Sequence, residues 1–199
     1  MSTALLVIDA QRIYTDSDSE MFSQEADKTV VKINSLVRGF EAAGDPIIYV
    51  RHVHKPDGSD LGRMFDYTGE PADDFNFKAD SEEVEYSTDL RLAERRHEII
   101  KSRYSAFAGT DLDALLKRLQ VDTVVVCGFM TNFCCDSTAR EAHDRDYFVD
   151  FILDATGTPG TENLKQGRIR EVVGELLGAG YARVMSADEY LKSGVLNKR

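Results

Sequence analysis

Two short unbroken apolar runs, ALLVI at residues 4–8 and TVVVC at 123–127, constrain the fold of this 199-residue chain more than any other feature. A strand that is apolar at every position has both faces covered, the signature of a parallel sheet held between two helix layers. The segments around these runs keep the same rhythm. Val30, Ile33, Leu36, Val37 and Phe40 recur at helical spacing and stop at Gly44, and a second strand is predicted at 47–50. A weaker strand at 98–100 is followed by Leu112, Leu115, Leu116 and Leu119, a helical stripe opened by a Thr110/Asp113 capping pattern. After TVVVC come a helix over 132–144, a strand at 148–153, and a helix carrying Ile169, Val172, Val173, Leu176 and Leu177 that Gly178 and Gly180 halt. A strand at 182–185 and a short helix capped by Ser186 with Glu189 complete the pattern. This alternation predicts one α/β doubly wound domain, with a six-stranded, mainly parallel sheet and helices on both faces.

The rhythm breaks once, at residues 55–95, where twelve acids and five bases carry −7 of the net charge of −11. An irregular stretch of that length inside a compact domain is either a lid or binding loop, or a solvated surface excursion. The acidic balance argues against a nucleic-acid surface, which needs a basic patch. No apolar run approaches the roughly 20 residues needed to cross a bilayer. The opening MSTALLVIDA has no basic n-region, so neither membrane association nor export is expected. Cys127, Cys134 and Cys135 are an odd, clustered set rather than a disulfide framework, which points to a cytoplasmic protein with free thiols.

In an open parallel sheet, ligands bind beyond the carboxyl ends of the strands. Three reactive side chains fall there: Asp9 after ALLVI, Lys101 after the strand at 98–100, and Cys134 a few residues past TVVVC. Parallel strands bring an acid, a base and a thiol to one sheet edge despite their separation in sequence. Cys135, Ala139 and Ala142 form a line of small residues facing the sheet, so Cys135 reads as packing, as does Cys127 inside its strand. Cys134 sits in the first helical turn, where the helix dipole and the nearby Lys101 are expected to lower its pKa. The segment Gly128-Phe129-Met130-Thr131-Asn132-Phe133-Cys134 suits an oxyanion hole built from backbone N–H groups at a helix start.

The opening LLVIDAQ, the KSRYSAF stretch at 101–107 and GFMTNFCCDSTAREA at 128–142 resemble the isochorismatase-like cysteine hydrolases. That family includes nicotinamidases, N-carbamoylsarcosine and ureidoacrylate amidohydrolases, and the isochorismatases. The resemblance implies an Asp9–Lys101–Cys134 triad, oxyanion donors at the Met130 and Cys134 N–H groups, and a cis peptide at Phe129–Met130. It also implies a dimer or tetramer acting on a small molecule. Nicotinamidases hold a metal through an Asp-x-His element, whereas the matching segment here reads Arg51-His52-Val53-His54 and residues 55–95 offer no further His. No metal or other cofactor is therefore expected, which counts against nicotinamide as substrate.

Isochorismatases cleave a vinyl ether by proton donation from the Asp and need no nucleophile, so a Cys at 134 favours C–N hydrolysis through a thioester. Vinyl ether hydrolysis by Asp9 is the alternative, and a non-catalytic small-molecule binding protein is a third reading. The expected pocket walls are Gln11, Tyr14, His54, Tyr104, Phe107, Phe129 and Phe133. Arg103 is expected to pair with the acidic excursion or with a substrate carboxylate.

Overall fold

The structure, a computed structural model, describes residues 2–66, 68–69 and 74–194; positions 67 and 70–73 of the acidic excursion lie outside the described residues. Six strands form one sheet in the order β3-β2-β1-β4-β5-β6: β1 Thr3–Ile8, β2 Ile47–His52, β3 His97–Lys101, β4 Thr123–Phe129, β5 Phe148–Gly157 and β6 Arg183–Met185. Every pairing is parallel. The helices are α1 Arg12–Thr15, α2 Ala26–Ala43, α3 Leu112–Arg118, α4 Asp136–Asp144, α5 Gln166–Gly178 and α6 Ala187–Lys192. Among the described residues, no helix is long and apolar enough to cross a membrane.

The two apolar runs behave as their composition requires. Leu5, Val7, Tyr49, Val125 and Cys127 point to one face, where they pack with Val30, Ile33, Val37 and Phe40 of α2 and Tyr190 of α6. Ala4, Leu6, Ile8, Val124 and Val126 point to the other, against Leu112 and Leu116 of α3, Ala139 of α4 and Ile169 and Leu177 of α5. Strand residues alternate between the two clusters, so a sheet apolar at every position feeds two cores. β3, at the edge, alternates instead and leaves Ile100 exposed.

Most departures from expectation lie at element ends. β5 runs to Gly157, four residues beyond the run at 148–153, because it resumes pairing with β4 past an irregularity between Val126 and Gly128. The helix expected from 132 starts as a single π-type turn over Thr131–Cys135 before α4. α3 is entered from Asp111 without a side-chain cap; Thr110 Oγ1 accepts from the Leu112 N–H instead. The Ser186–Glu189 capping box ahead of α6 is present as expected.

Candidate active site

The chain order reverses between β1 and β4, and the crevice beyond that junction is where doubly wound sheets hold ligands. Asp9 follows β1 with φ +46°, a left-handed conformation that Asp tolerates better than most residues. Its N–H donates to Val50 O at 2.9 Å, and its carbonyl accepts from the Gln11 N–H at 2.7 Å. Across from it, Gly128 (φ +121°) pairs with Ile8, and a Cβ there would lie 1.8 Å from Ile8 O. Only glycine lets β4 approach the end of β1 this closely. Beyond β4 the Phe129–Met130 peptide is cis, as the resemblance implied.

The three residues expected from the strand ends meet. Lys101, the last residue of β3, places Nζ 2.7 Å from Asp9 Oδ2 and donates to Cys134 Sγ at 3.3 Å and to Arg103 O at 3.0 Å. All three are buried, with exposures of 0% for Asp9, 1% for Lys101 and 2% for Cys134. Around the sulfur, the N–H groups of Phe133 and Cys135 both donate to Met130 O, at 3.2 and 3.1 Å. The segment carrying the Met130 and Cys134 N–H groups is thus wrapped tightly beside Sγ.

Electrostatics correct one expectation. Burial pushes the Cys134 thiol up to about 12, with the Lys101 ammonium pulling the other way and the Asp9 carboxylate adding to the rise. Burial thus works against the thiolate expected from a helix N-terminus, because complete desolvation outweighs the neighbouring cation. Burial also raises Asp9, against the pull of Lys101. Burial opposes the charge on Lys101, yet Asp9 and the Cys134 sulfur hold its ammonium above the ordinary value.

Cys134 opens on a cavity of about 270 Å³ lined by Tyr14, Met21, His52, Met64, Phe65, Phe77, Tyr104, Met130, Phe133, Pro159 and Gly160. Of the expected walls, Tyr14, Tyr104 and Phe133 line it. The structure places the other four elsewhere. Gln11 is a buried clamp whose amide bonds the main chain of His52 and the carbonyl of Val84. His54 sits behind His52, ring nitrogen to ring nitrogen at 2.9 Å. Phe107 packs in the opposite core against Tyr147 (centroids 5.9 Å apart), where the α3 side of the sheet needs an aromatic. Phe129 stacks beneath Tyr14 at 5.4 Å, in space that Gly157 leaves open: a Cβ there would lie 2.4 Å from its ring. Arg103 reaches the acidic excursion through its backbone, donating from Nη1 to Asp60 O at 2.9 Å.

Met64, Phe65 and Phe77 come from the excursion, so that acidic stretch is a wall of the site. Their signal was present as isolated large apolar residues in an otherwise polar segment. His52, Pro159 and Gly160 were within reach of the strand-end rule, had it been applied to β2 and to the true end of β5.

The side chains do not suit a metal centre. Ligand atoms of Asp9, His52 and Cys134 lie within 4.8 Å of one another, but the Lys101 ammonium already sits 2.7 Å from Asp9 and 3.3 Å from the sulfur. A cation there would face a fixed positive charge. His52 and His54 share one hydrogen bond and leave no second carboxylate in the Asp-x-His position.

Comparison with known proteins shows the family. The isochorismatase domain family matches residues 3–189. An uncharacterized isochorismatase family protein, YwoC of Bacillus subtilis, is 33% identical over 156 residues, covering 78% of each chain. Nicotinamidase 3 of Arabidopsis thaliana is 30% identical over 190 residues, covering 96% of this chain and 87% of that relative. The crystal structure of a cysteine hydrolase from Pseudomonas syringae pv. phaseolicola 1448A superposes with a TM-score of 0.87 at 27% identity, covering 96% of this chain and 91% of that one. The chain belongs to the isochorismatase family and is a hydrolase of that family, with amidohydrolases among its relatives.

Proposed function

We propose that this protein hydrolyses the C–N bond of a small amide or carbamoyl compound through a thioester on Cys134. The observation that carries the reading is the buried line from Asp9 through Lys101 to Cys134, with spacings of 2.7 and 3.3 Å, ending at the floor of a largely apolar cavity. A nucleophile is activated when a base can take its proton as it attacks. Asp9, itself raised by burial, accepts the thiol proton as Sγ bonds to the carbonyl carbon. The Met130 and Cys134 N–H groups hold the oxyanion. Asp9 returns the proton to the leaving nitrogen, the C–N bond breaks, and water then cleaves the thioester with Asp9 again as base. Lys101 keeps the total charge near neutral at each stage. The small cavity volume suits a substrate of few heavy atoms, and the similarity to a protein named nicotinamidase supports amide chemistry.

One observation favours vinyl ether hydrolysis as the second reading: a carboxyl raised by burial is a good proton donor, and that reaction needs no sulfur. Ammonia release from a panel of small amides and carbamoyl compounds decides between them. Activity present in the wild type and lost in Cys134→Ala supports the thioester route. Retained activity in that variant removes Cys134 as nucleophile.

A further inference from the structure

Behind the sulfur lies a chain of polar groups that the thioester route does not use. His52 ends β2, stacks on Phe77 (centroids 4.5 Å apart, planes at 13°) and lines the cavity. The Gln11 amide grips its main chain on both sides, accepting the His52 N–H at 2.8 Å and donating to His52 O at 3.0 Å. One of its ring nitrogens, Nε2, lies 2.9 Å from Nε2 of His54. His54 is buried and fixed by its own main chain, its N–H donating to Phe77 O at 2.7 Å and its carbonyl accepting from Ala79 N at 2.9 Å. Its Nδ1 faces Asp60 Oδ1 at 3.4 Å, an electrostatic contact rather than a tight hydrogen bond.

These positions favour one arrangement of the protons. A contact between two imidazole nitrogens needs one N–H and one lone pair. A lone pair on His54 Nδ1 would face the Asp60 carboxylate and be repelled, so the proton belongs on Nδ1 and the lone pair on Nε2. His52 then donates from Nε2 and keeps a lone pair on Nδ1. Burial disfavours the charged form of both rings; at His54 the Asp60 carboxylate opposes that effect without overcoming it, and Lys101 and Arg103 add to it at both. A ring nitrogen of His52 lies within 4.8 Å of both the Cys134 sulfur and the Asp9 carboxylate.

We propose that this chain sets the specificity of the site, with His52 accepting a hydrogen bond from an N–H of the substrate's carboxamide or carbamoyl group as Cys134 attacks the adjoining carbonyl. The proposal rests on the hydrolase reading above. Holding one N–H on His52 turns the nitrogen lone pair toward Asp9, which must protonate it before it leaves. Asp60 and His54 are positioning residues: they fix which His52 nitrogen carries a proton. The site therefore selects substrates whose reacting group has an N–H over isosteric esters, which offer no donor and leave the acceptor unpaired.

Two measurements on the full chain test this. In 15N-histidine NMR, His52 is expected as the Nε2–H tautomer in the wild type and as a mixture in Asp60→Asn, where the carboxylate is gone. In kinetics, the primary amide and the methyl ester of one acid are compared. His52→Phe, which keeps the stack on Phe77, is expected to lose about tenfold more kcat/KM on the amide than on the ester, the worth of one buried donor–acceptor pair. Asp60→Asn, at a partly exposed carboxylate, shifts the same ratio in the same direction if the phenylalanine variant does not fold. An Nδ1–H tautomer in the wild type, or equal losses on amide and ester, overturns the proposal and leaves the thioester reading standing. Amide hydrolysis that survives in Cys134→Ala overturns both.

Discussion

The floor and the wall of this cavity are built by different rules. The floor is Cys134 with Asp9 and Lys101 buried behind it, each at or just beyond the carboxyl end of a strand in one parallel sheet. Its geometry follows from ladder register: Ile8 pairs with both Val50 and Gly128, and His52 with Lys101, which brings the three strand ends level. The wall is Met64, Phe65 and Phe77, from a segment with no helical or strand period. Those side chains are held by ring contacts: Phe65 stacks on Phe77 at 6.5 Å, and Phe77 on His52 at 4.5 Å. Among the described residues, the excursion pairs Arg63 with Asp66 and Lys78 with Asp74, while Asp60 turns in toward His54. Rigid elements thus carry the proposed reactive groups, while an irregular segment supplies part of the cavity wall.

The sharpest way to break this contrast is to remove one floor residue at a time. Cys134→Ala is expected to lower amide turnover by about four orders of magnitude or more, read as ammonia release. Asp9→Asn should match that loss, since the acid and the sulfur act as one unit in the proposed route. It should also make Cys134 more reactive toward iodoacetamide at pH 8. Asp9 is one of the groups holding the thiol up near 12, and without it the Lys101 ammonium stabilises the thiolate. Slower alkylation of Cys134 in Asp9→Asn, followed by mass spectrometry of its peptide, contradicts this account of the site.

Lys101→Met comes next in size. Removing one partner of a buried ion pair strands the other, which costs about 3–5 kcal/mol, visible as a lower urea midpoint. Stability should also respond to pH through Cys134. The unfolded thiol ionises near its ordinary value of 9.0, while the folded one stays protonated up to about 12. Between those values the unfolded chain binds fewer protons, so stability falls as pH rises through that window. Cys127 and Cys135, also raised by burial, contribute in the same direction. Cys134→Ala should make the decline shallower without abolishing it, which urea midpoints measured from pH 8 to 11 will show.

The same contrast explains what could be read from the amino-acid order alone. The parallel sheet, its six strands and the meeting of Asp9, Lys101 and Cys134 were all legible, because apolar runs fix the strands and parallel direction fixes which ends coincide. The π-type turn at Thr131–Cys135 was not, since one extra residue in a helical turn leaves no trace in periodicity. Phe107 and Phe129 were misplaced because an aromatic beside a strand end can face the cavity or a core, and only packing decides. Phe129 turned inward where Gly157 left room; Phe107 went to the α3 side. The thiol's protonation was misjudged for a related reason: a helix terminus can be read from sequence, but desolvation depends on everything that covers the sulfur.

Smaller effects probe the wall. Phe65, partly buried and stacked on Phe77, can be shortened without opening the core of the sheet. Phe65→Ala should raise KM about 3–10-fold while changing kcat less than about twofold, because it removes apolar contact made equally in ground and transition states. A fall in kcat as large as the rise in KM would mean that the wall also aligns the reacting groups, and the division between floor and wall would fail.

The smallest expected effect is the most discriminating, because it concerns a residue adjacent to the proposed nucleophile. Cys135 is fully buried and packs with Ala139 and Ala142 against the sheet. It shares the free thiol and the burial of Cys134, yet of these two sulfurs the Lys101 Nζ bonds that of Cys134. Cys135→Ala should cost about 1 kcal/mol, in line with one small buried group lost to a cavity, and leave kcat/KM for the amide within about twofold. If activity instead collapses while the urea midpoint barely moves, the thiol that matters is not the one that Lys101 touches. The reading of the floor from strand ends would then have picked the wrong sulfur.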